Sequence, residues 1–208
     1  SSSETTAMAT DGHRLVKYVQ KRKSNQNQSL VIPEKFLKII KNTITEEEML
    51  VVDIDENSLS TQQGVFTITT RIIKETFPDF NSVIPDNNTI QATLDSDKLI
   101  ACLKRVSIFS NRTTKQTVLS FSDQSVVVSA QDPETSTSGK EHAECEYEGE
   151  ALTVSYNAKY LIEVLQNINT KKVKMYLSTP LSAAIIKPEE EKEGENLTAL
   201  LMPLRLNN

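Results

Sequence analysis

The chain has 208 residues, 38% hydrophobic and 25% charged, with a net charge of −5 at pH 7. That length holds one large domain or two of ordinary size and enough apolar residues for a real core. The acidic balance excludes a protein that merely coats nucleic acid, though not one that gathers its basic residues on one surface.

The first informative stretch is "AMATDGHRLVKYV" (7–19), two strand-like runs around Asp11-Gly12. Asp-Gly between such runs predicts a tight hairpin turn, because glycine accepts a positive φ. Next, "LVIPEKFLKIIKNTI" predicts a helix starting at Pro33, followed by strands in "MLVVDID" and "SLSTQQGVFTITTRII" with a bend near Gly64. "FPDFNSVIPDNN" (77–88), with two prolines in a polar cluster, reads as a linker. A second helix in "ATLDSDKLIACLKRVSIFS" precedes strands in "TVLSFSDQSVVVSAQD" and "EHAECEYEG", with "DPETSTSGKEH" (132–142) expected as a polar loop. A third in "TVSYNAKYLIEVLQNIN" precedes strands in "KVKMYLSTPLSAAIIKP" and "LTALLMPLRL". Between those two, the acidic "KPEEEKEGEN" (187–196) is expected as a hairpin tip.

The three helical segments repeat. With Pro33, Asp95 and Asn157 as equivalent starts, each 62 residues after the last, Leu37, Leu99 and Leu161 align. Ile40, Cys102 and Val164 follow, then Ile44, Val106 and Ile168. Spacings of this kind predict a helix with one buried face. Each unit is one helix with three or four antiparallel strands, and such units stack to bury faces they cannot bury alone. The fold class expected is α+β.

The candidate chemistry is sparse. Asp11 and His13 offer a base and an orienter for a hydrolase, but no P-loop, Gly-x-Ser-x-Gly or dinucleotide fingerprint is present. His142 and Cys145 in "HAEC" would need two further ligands to hold zinc, with His13 and Cys102 remote in sequence. No cofactor or metal is expected. The two cysteines make no disulfide framework, "SSSETTAMAT" lacks the blocks of a signal peptide, and no long apolar run predicts a membrane span. The cytoplasm is the expected address.

Three short motifs occur in order around the repeat: "ATDGHRL" (9–15), "FPDFNSVIP" (77–85) and "MPLRL" (202–206). Together they resemble the β subunit of bacterial DNA polymerase III, the sliding clamp. The resemblance implies a DNA-clamp fold, repeated β-α-β-β-β units with antiparallel sheets outside and helices lining an inner face. It covers the second half of the family's middle domain (1–84, truncated at its N-terminus) and the whole C-terminal domain (85–208). The family's N-terminal domain has no counterpart here, so these residues alone are expected to form no closed ring.

What the resemblance implies about function is topological rather than catalytic. A homodimeric ring around double-stranded DNA, gripping no particular sequence, keeps a tethered polymerase processive. DNA-facing charge would come from Lys35, Lys38, Lys41, Lys98, Lys104, Arg105 and Lys159, with Arg112 in a loop beyond the second helix. Polymerase, clamp loader and repair polymerases would dock through short apolar peptides in a groove. By matching motif positions, that groove comprises Thr10, Gly12, His13, Arg14, Leu15, Pro78, Val83, Tyr160, Leu200, Met202, Pro203, Leu204 and Arg205. Ile108 and Phe109 match an apolar pair at the family's subunit interface. Asn81 and Ser82 stand where the family commonly has an arginine pair, Leu204 replaces a frequent methionine, and Asn207 and Asn208 extend the usual end. A peptide-binding module of the same fold that never meets DNA is the alternative reading.

Overall fold

The structure, a computed structural model, describes residues 4–21, 28–45, 48–77 and 83–206. The expected groove residue Pro78, with Asn81 and Ser82, lies outside the described residues. The first strands are β1 (Glu4–Thr10), β2 (Arg14–Lys21), β3 (Val51–Ile54), β4 (Ser58–Gln63) and β5 (Phe66–Arg71). Then come β6 (Ile90–Asp95), β7 (Gln116–Ser122), β8 (Ser125–Asp132), β9 (Thr137–Glu144) and β10 (Glu146–Glu148). The last are β11 (Leu152–Asn157), β12 (Lys172–Leu177), β13 (Ala184–Pro188) and β14 (Glu195–Leu201). The helices are α1 (Glu34–Thr43), α2 (Ser96–Val106) and α3 (Ala158–Ile168), with a 3-10 turn at Ser107–Phe109 after α2. Every strand pairing is antiparallel, giving an α+β fold.

The three equivalent starts of the repeat are the three helix N-caps. Asp95 accepts the Lys98 N–H at 2.9 Å and Asn157 the Tyr160 N–H at 3.2 Å, each satisfying a first-turn donor that has no partner inside its helix. Pro33 does no such bonding; its φ of −62° is already set for a helix start. At the far end of α3, Asn169 takes the left-handed conformation (φ 53°), which asparagine tolerates better than most residues.

The described residues form two compact units, one from segments 1–24 and 81–208, the other from 25–80. The larger unit holds a seven-stranded sheet, β1-β2-β14-β13-β12-β6-β10, and a four-stranded sheet, β11-β7-β8-β9. Leu99, Cys102, Leu103 and Val106 of α2 and Leu161, Val164, Leu165 and Ile168 of α3 are buried in one core. They share it with Leu119, Phe121, Val128, Val154, Met175, Ile186 and Leu201 from both sheets. Each such side chain contributes roughly 1.5–3 kcal/mol through burial. On β7 the expected alternation holds, with Leu119 and Phe121 inward and Val118, Ser120 and Ser122 less buried.

The smaller unit holds α1 and the sheet β3-β4-β5. Here the repeat departs from expectation. Leu37, aligned with the buried Leu99 and Leu161, is 49% exposed, and Phe36 is the one buried residue of α1. In this unit a single three-stranded sheet meets the helix, against two sheets around α2 and α3. A second correction concerns 132–142, expected as a loop. Only a turn through Ser136 (φ 52°) is irregular, and β9 begins at Thr137. β9 is an edge strand whose side chains are mostly exposed, so no apolar alternation marks it in the sequence.

Candidate peptide-binding groove

The hairpin at "ATDGHRL" is built around one carboxylate. Asp11 Oδ1 accepts the backbone N–H groups of His13 and Arg14, both at 3.0 Å, and Gly12 turns the chain at φ +85°. Thr10 Oγ1 closes the other side, donating to the Arg14 carbonyl at 2.8 Å and accepting from the Gly12 N–H at 3.2 Å. Asp11 Oδ2 receives the Arg14 Nε–H at 2.9 Å. Partial burial would raise the Asp11 pKa, but the two N–H groups and the guanidinium together hold it below the ordinary carboxylate value. A carboxylate so committed is a turn organiser. Its hydrogen bonds go to backbone and to Arg14, not to the His13 ring, so the Asp11–His13 pair that a hydrolase would need does not form.

β2 carries this tip to the end of β14. Leu200 sits opposite Leu15 and Leu201 opposite Arg14 in the ladder, and the Met202 N–H donates to the His13 carbonyl at 2.9 Å. Leu15 and Leu200 are buried, whereas the Met202 side chain is 45% exposed. Past Met202 the chain crosses to the edge of the second sheet. The Leu204 N–H donates to the Ser155 carbonyl and Ser155 Oγ to the Leu204 carbonyl, each at 2.8 Å. Gln116 Nε2 donates to Ser155 Oγ at 2.9 Å and to the Arg205 carbonyl at 3.1 Å. The tail therefore bridges two sheets, with Pro203 and Leu204 half-buried and Arg205 exposed.

Tyr160, in the first turn of α3, meets the hairpin tip. The His13 ring stacks on it at 5.6 Å with planes 24° apart, and the Arg14 guanidinium carbon lies 4.7 Å from its ring centroid. Arg14 Nη1 reaches Glu163 Oε2 at 2.7 Å. Thr10, Gly12, His13, Arg14, Leu15, Tyr160, Leu200 and Met202 are thus joined by ladder, hydrogen bond or ring contact, with Pro203, Leu204 and Arg205 continuing from them. Val83 is exposed in the loop before β6. Of the residues that fix this arrangement, Asp11 was expected as part of the hairpin turn, whereas Ser155, Gln116 and Glu163 were not expected in it. Glu163 is the one with a local signal, standing one helical turn after Tyr160.

The basic residues expected to face DNA are all exposed, but they are not equally free. Lys38 pairs with Glu34 at 2.6 Å, Lys98 with Glu144 and Lys159 with Glu163 at 3.9 Å. Arg105 forks onto Glu141 of β9, with Nε 3.0 Å from Oε2. Lys35, Lys41 and Lys104 have no ion pair among the described residues. Ile108 is 78% exposed, and Phe109 packs on Gly139 of β9, where an added Cβ would fall 2.3 Å from its ring. The zinc reading finds no geometry: among the described residues no cluster of three or more His, Cys, Asp or Glu is positioned for a metal. Burial pushes the Cys102 and Cys145 thiols up to about 11. No helix among the described residues is long and apolar enough to cross a membrane.

Comparisons with known proteins agree with this architecture. Residues 81–205 match the family model of the DNA polymerase III beta subunit, C-terminal domain, and residues 1–79 that of its central domain. The beta sliding clamp of Haemophilus influenzae is 29% identical over 201 residues, which cover 96% of this chain and 54% of the relative. The chain thus spans about half the length of the curated relatives it matches. A DNA polymerase sliding clamp structure from Pseudomonas aeruginosa superposes with a TM-score of 0.91 at 25% identity, covering 99% of this chain and 57% of that one. A second clamp structure from that organism, bound to griselimycin, gives a TM-score of 0.90 at 26% identity, covering 98% and 55%. The chain belongs to the DNA polymerase III beta subunit family.

Proposed function

We propose that this chain is the working half of a DNA sliding clamp, a processivity factor that performs no chemistry and holds its partners on DNA. The observation that carries the proposal is the convergence of the hairpin tip, the first turn of α3 and the C-terminal tail around Tyr160 and Met202. An exposed methionine and a half-buried leucine, on a tail bonded to the hairpin tip whose His13 stacks on Tyr160, suit a site that accepts several apolar peptides. Anchors seated in such a site contribute roughly 2 kcal/mol each, and micromolar binding needs about 8 kcal/mol in all. Polymerase, clamp loader and repair polymerases are the proposed partners. That a related clamp is known with griselimycin bound supports a ligand-accepting surface in the family.

The domain boundary is proposed at 84/85, consistent with the two family matches meeting near residue 80. Sliding requires positive charge without a fixed grip, because phosphate contacts position a protein while carrying no sequence information. Lys35, Lys41 and Lys104 are the best placed to supply it, and Arg105 the least, since its guanidinium is engaged by Glu141. Ile108 and Phe109, beside β9, whose outer edge has no partner strand among the described residues, are proposed as part of the contact with a second subunit in a homodimeric ring. A replicative role places the protein in the cytoplasm.

The test is loading onto primed circular DNA with a chain that includes the family's remaining domains. Retention on circular but not linearised DNA, and longer products from the polymerase, are expected. A chain that binds partner peptides yet never stays on circular DNA would be an interaction module of the same fold instead.

A further inference from the structure

Tyr160 is a groove wall only if its ring stays where it is, and its neighbours are held from two elements at once. Arg14 reaches Asp11 of its own hairpin through Nε at 2.9 Å and Glu163 of α3 through Nη1 at 2.7 Å, with its guanidinium carbon 4.7 Å from the ring centroid. The Arg14 and Glu163 side chains are partly buried, so the pair is less screened than an open surface contact. The planar fork of arginine suits this position: its donors engage carboxylates at the rim while its face lies on the ring. Lys159, whose Nζ is 3.9 Å from Glu163 Oε1, is the other cation within reach of that carboxylate among the described residues.

From this geometry we infer that Glu163 is a positioning residue of the groove, holding Arg14 over Tyr160 so that the site offers a flat, uncharged wall to an apolar anchor of a bound peptide. The inference rests on the groove reading above. Asp11 fixes only the near side of the guanidinium. Without Glu163 the far side is unrestrained, Arg14 swings off the ring, and its charge turns toward the ligand. Two consequences follow. Glu163 affects affinity through Arg14 without touching the peptide, and Arg14, its Nε and Nη1 already paired with Asp11 and Glu163, contributes to the wall more than to reading acidic side chains of the ligand.

The experiment combines two readouts on the 208-residue chain carrying Glu163→Gln, Arg14→Gln or both. The first is the NMR shift of the Arg14 Nε–H proton, which the Tyr160 ring current displaces while the guanidinium lies over it. The second is titration with a labelled polymerase-derived peptide of apolar anchors. Expected are loss of the ring-current displacement in Glu163→Gln and an affinity about threefold to tenfold weaker. In the Arg14→Gln background the same substitution should change affinity less than about twofold. A displacement that survives Glu163→Gln overturns the inference. So does an equal loss of affinity in both backgrounds, or unchanged affinity with the displacement gone. If the unsubstituted chain binds no peptide, the groove reading fails, and the proton shift alone decides whether Glu163 positions Arg14.

Discussion

The attachment of the C-terminal tail gives the most quantitative prediction. Replacing Ser155 by alanine removes the Oγ donor to the Leu204 carbonyl and the acceptor for Gln116 Nε2, while the backbone bond from the Leu204 N–H to the Ser155 carbonyl remains possible. Neutral hydrogen bonds contribute about 0.5–1.5 kcal/mol each, and Ser155 is buried, so the tail should lose about 1–2 kcal/mol of docking free energy. That corresponds to local opening made about 5- to 30-fold more frequent. Hydrogen exchange at the Leu204 N–H reads it directly, because this amide exchanges when the tail lifts. Protection should fall by that factor at Leu204 while the amides of β7 and β12, deep in the two sheets, change far less. Gln116→Met removes Gln116's own two bonds but leaves the Ser155 Oγ contact intact, and should fall at the lower end of the range. Unchanged protection at Leu204 in Ser155→Ala would mean that the tail is held by something other than Ser155.

Three further outcomes are expected. The Tyr156 hydroxyl is fully buried with no hydrogen-bond partner among the described residues, so Tyr156→Phe should leave stability unchanged or raise it by about 1 kcal/mol in urea denaturation; a clear loss would reveal a partner for the hydroxyl. The Asp11 pKa is lowered in the folded chain, so its charge adds stability in full above its unfolded value of 3.8, and that contribution is lost as pH falls through the lower folded value. Asp11→Asn should therefore lower the urea midpoint at pH 7 and converge on the parent chain below about pH 3.8; a gap constant down to pH 3 would contradict this. Cys102 and Cys145, buried and with raised pKa values, should resist alkylation at pH 8 until the chain unfolds, and rapid labelling of the native protein would be the contrary result.

Much of the fold was legible because its signals are local. Asp95 and Asn157 cap helices by bonding residues three positions on, and Asp11-Gly12 makes a turn within four residues, so short windows contain the cause. β9 was hidden because an exposed edge strand needs no apolar alternation. Leu37 misled because periodicity states which face of a helix is apolar, not whether anything covers it.

The site divides along the same line. Tyr160, Met202 and the hairpin tip stand in motifs that can be matched residue by residue. Ser155, Gln116 and Glu163 act across long gaps in sequence, Gln116 on Arg205 and Glu163 on Arg14; the spacing of Glu163 from Tyr160 is local but marks a helix face, not the partner. Arg105 shows the converse: as a charge on an exposed helix face it reads as free, until Glu141, 36 residues later, is found against it.

Whether the hairpin tip, α3 and the tail form one peptide groove is decided by titration of a labelled polymerase-derived peptide with the bound residues mapped by chemical shift. A groove here gives binding in the micromolar range, shifts concentrated at His13, Arg14, Tyr160 and Met202, and about tenfold or greater weakening in the double variant Met202→Ala, Leu204→Ala. Unchanged affinity in that variant, or shifts confined to another face, would contradict it.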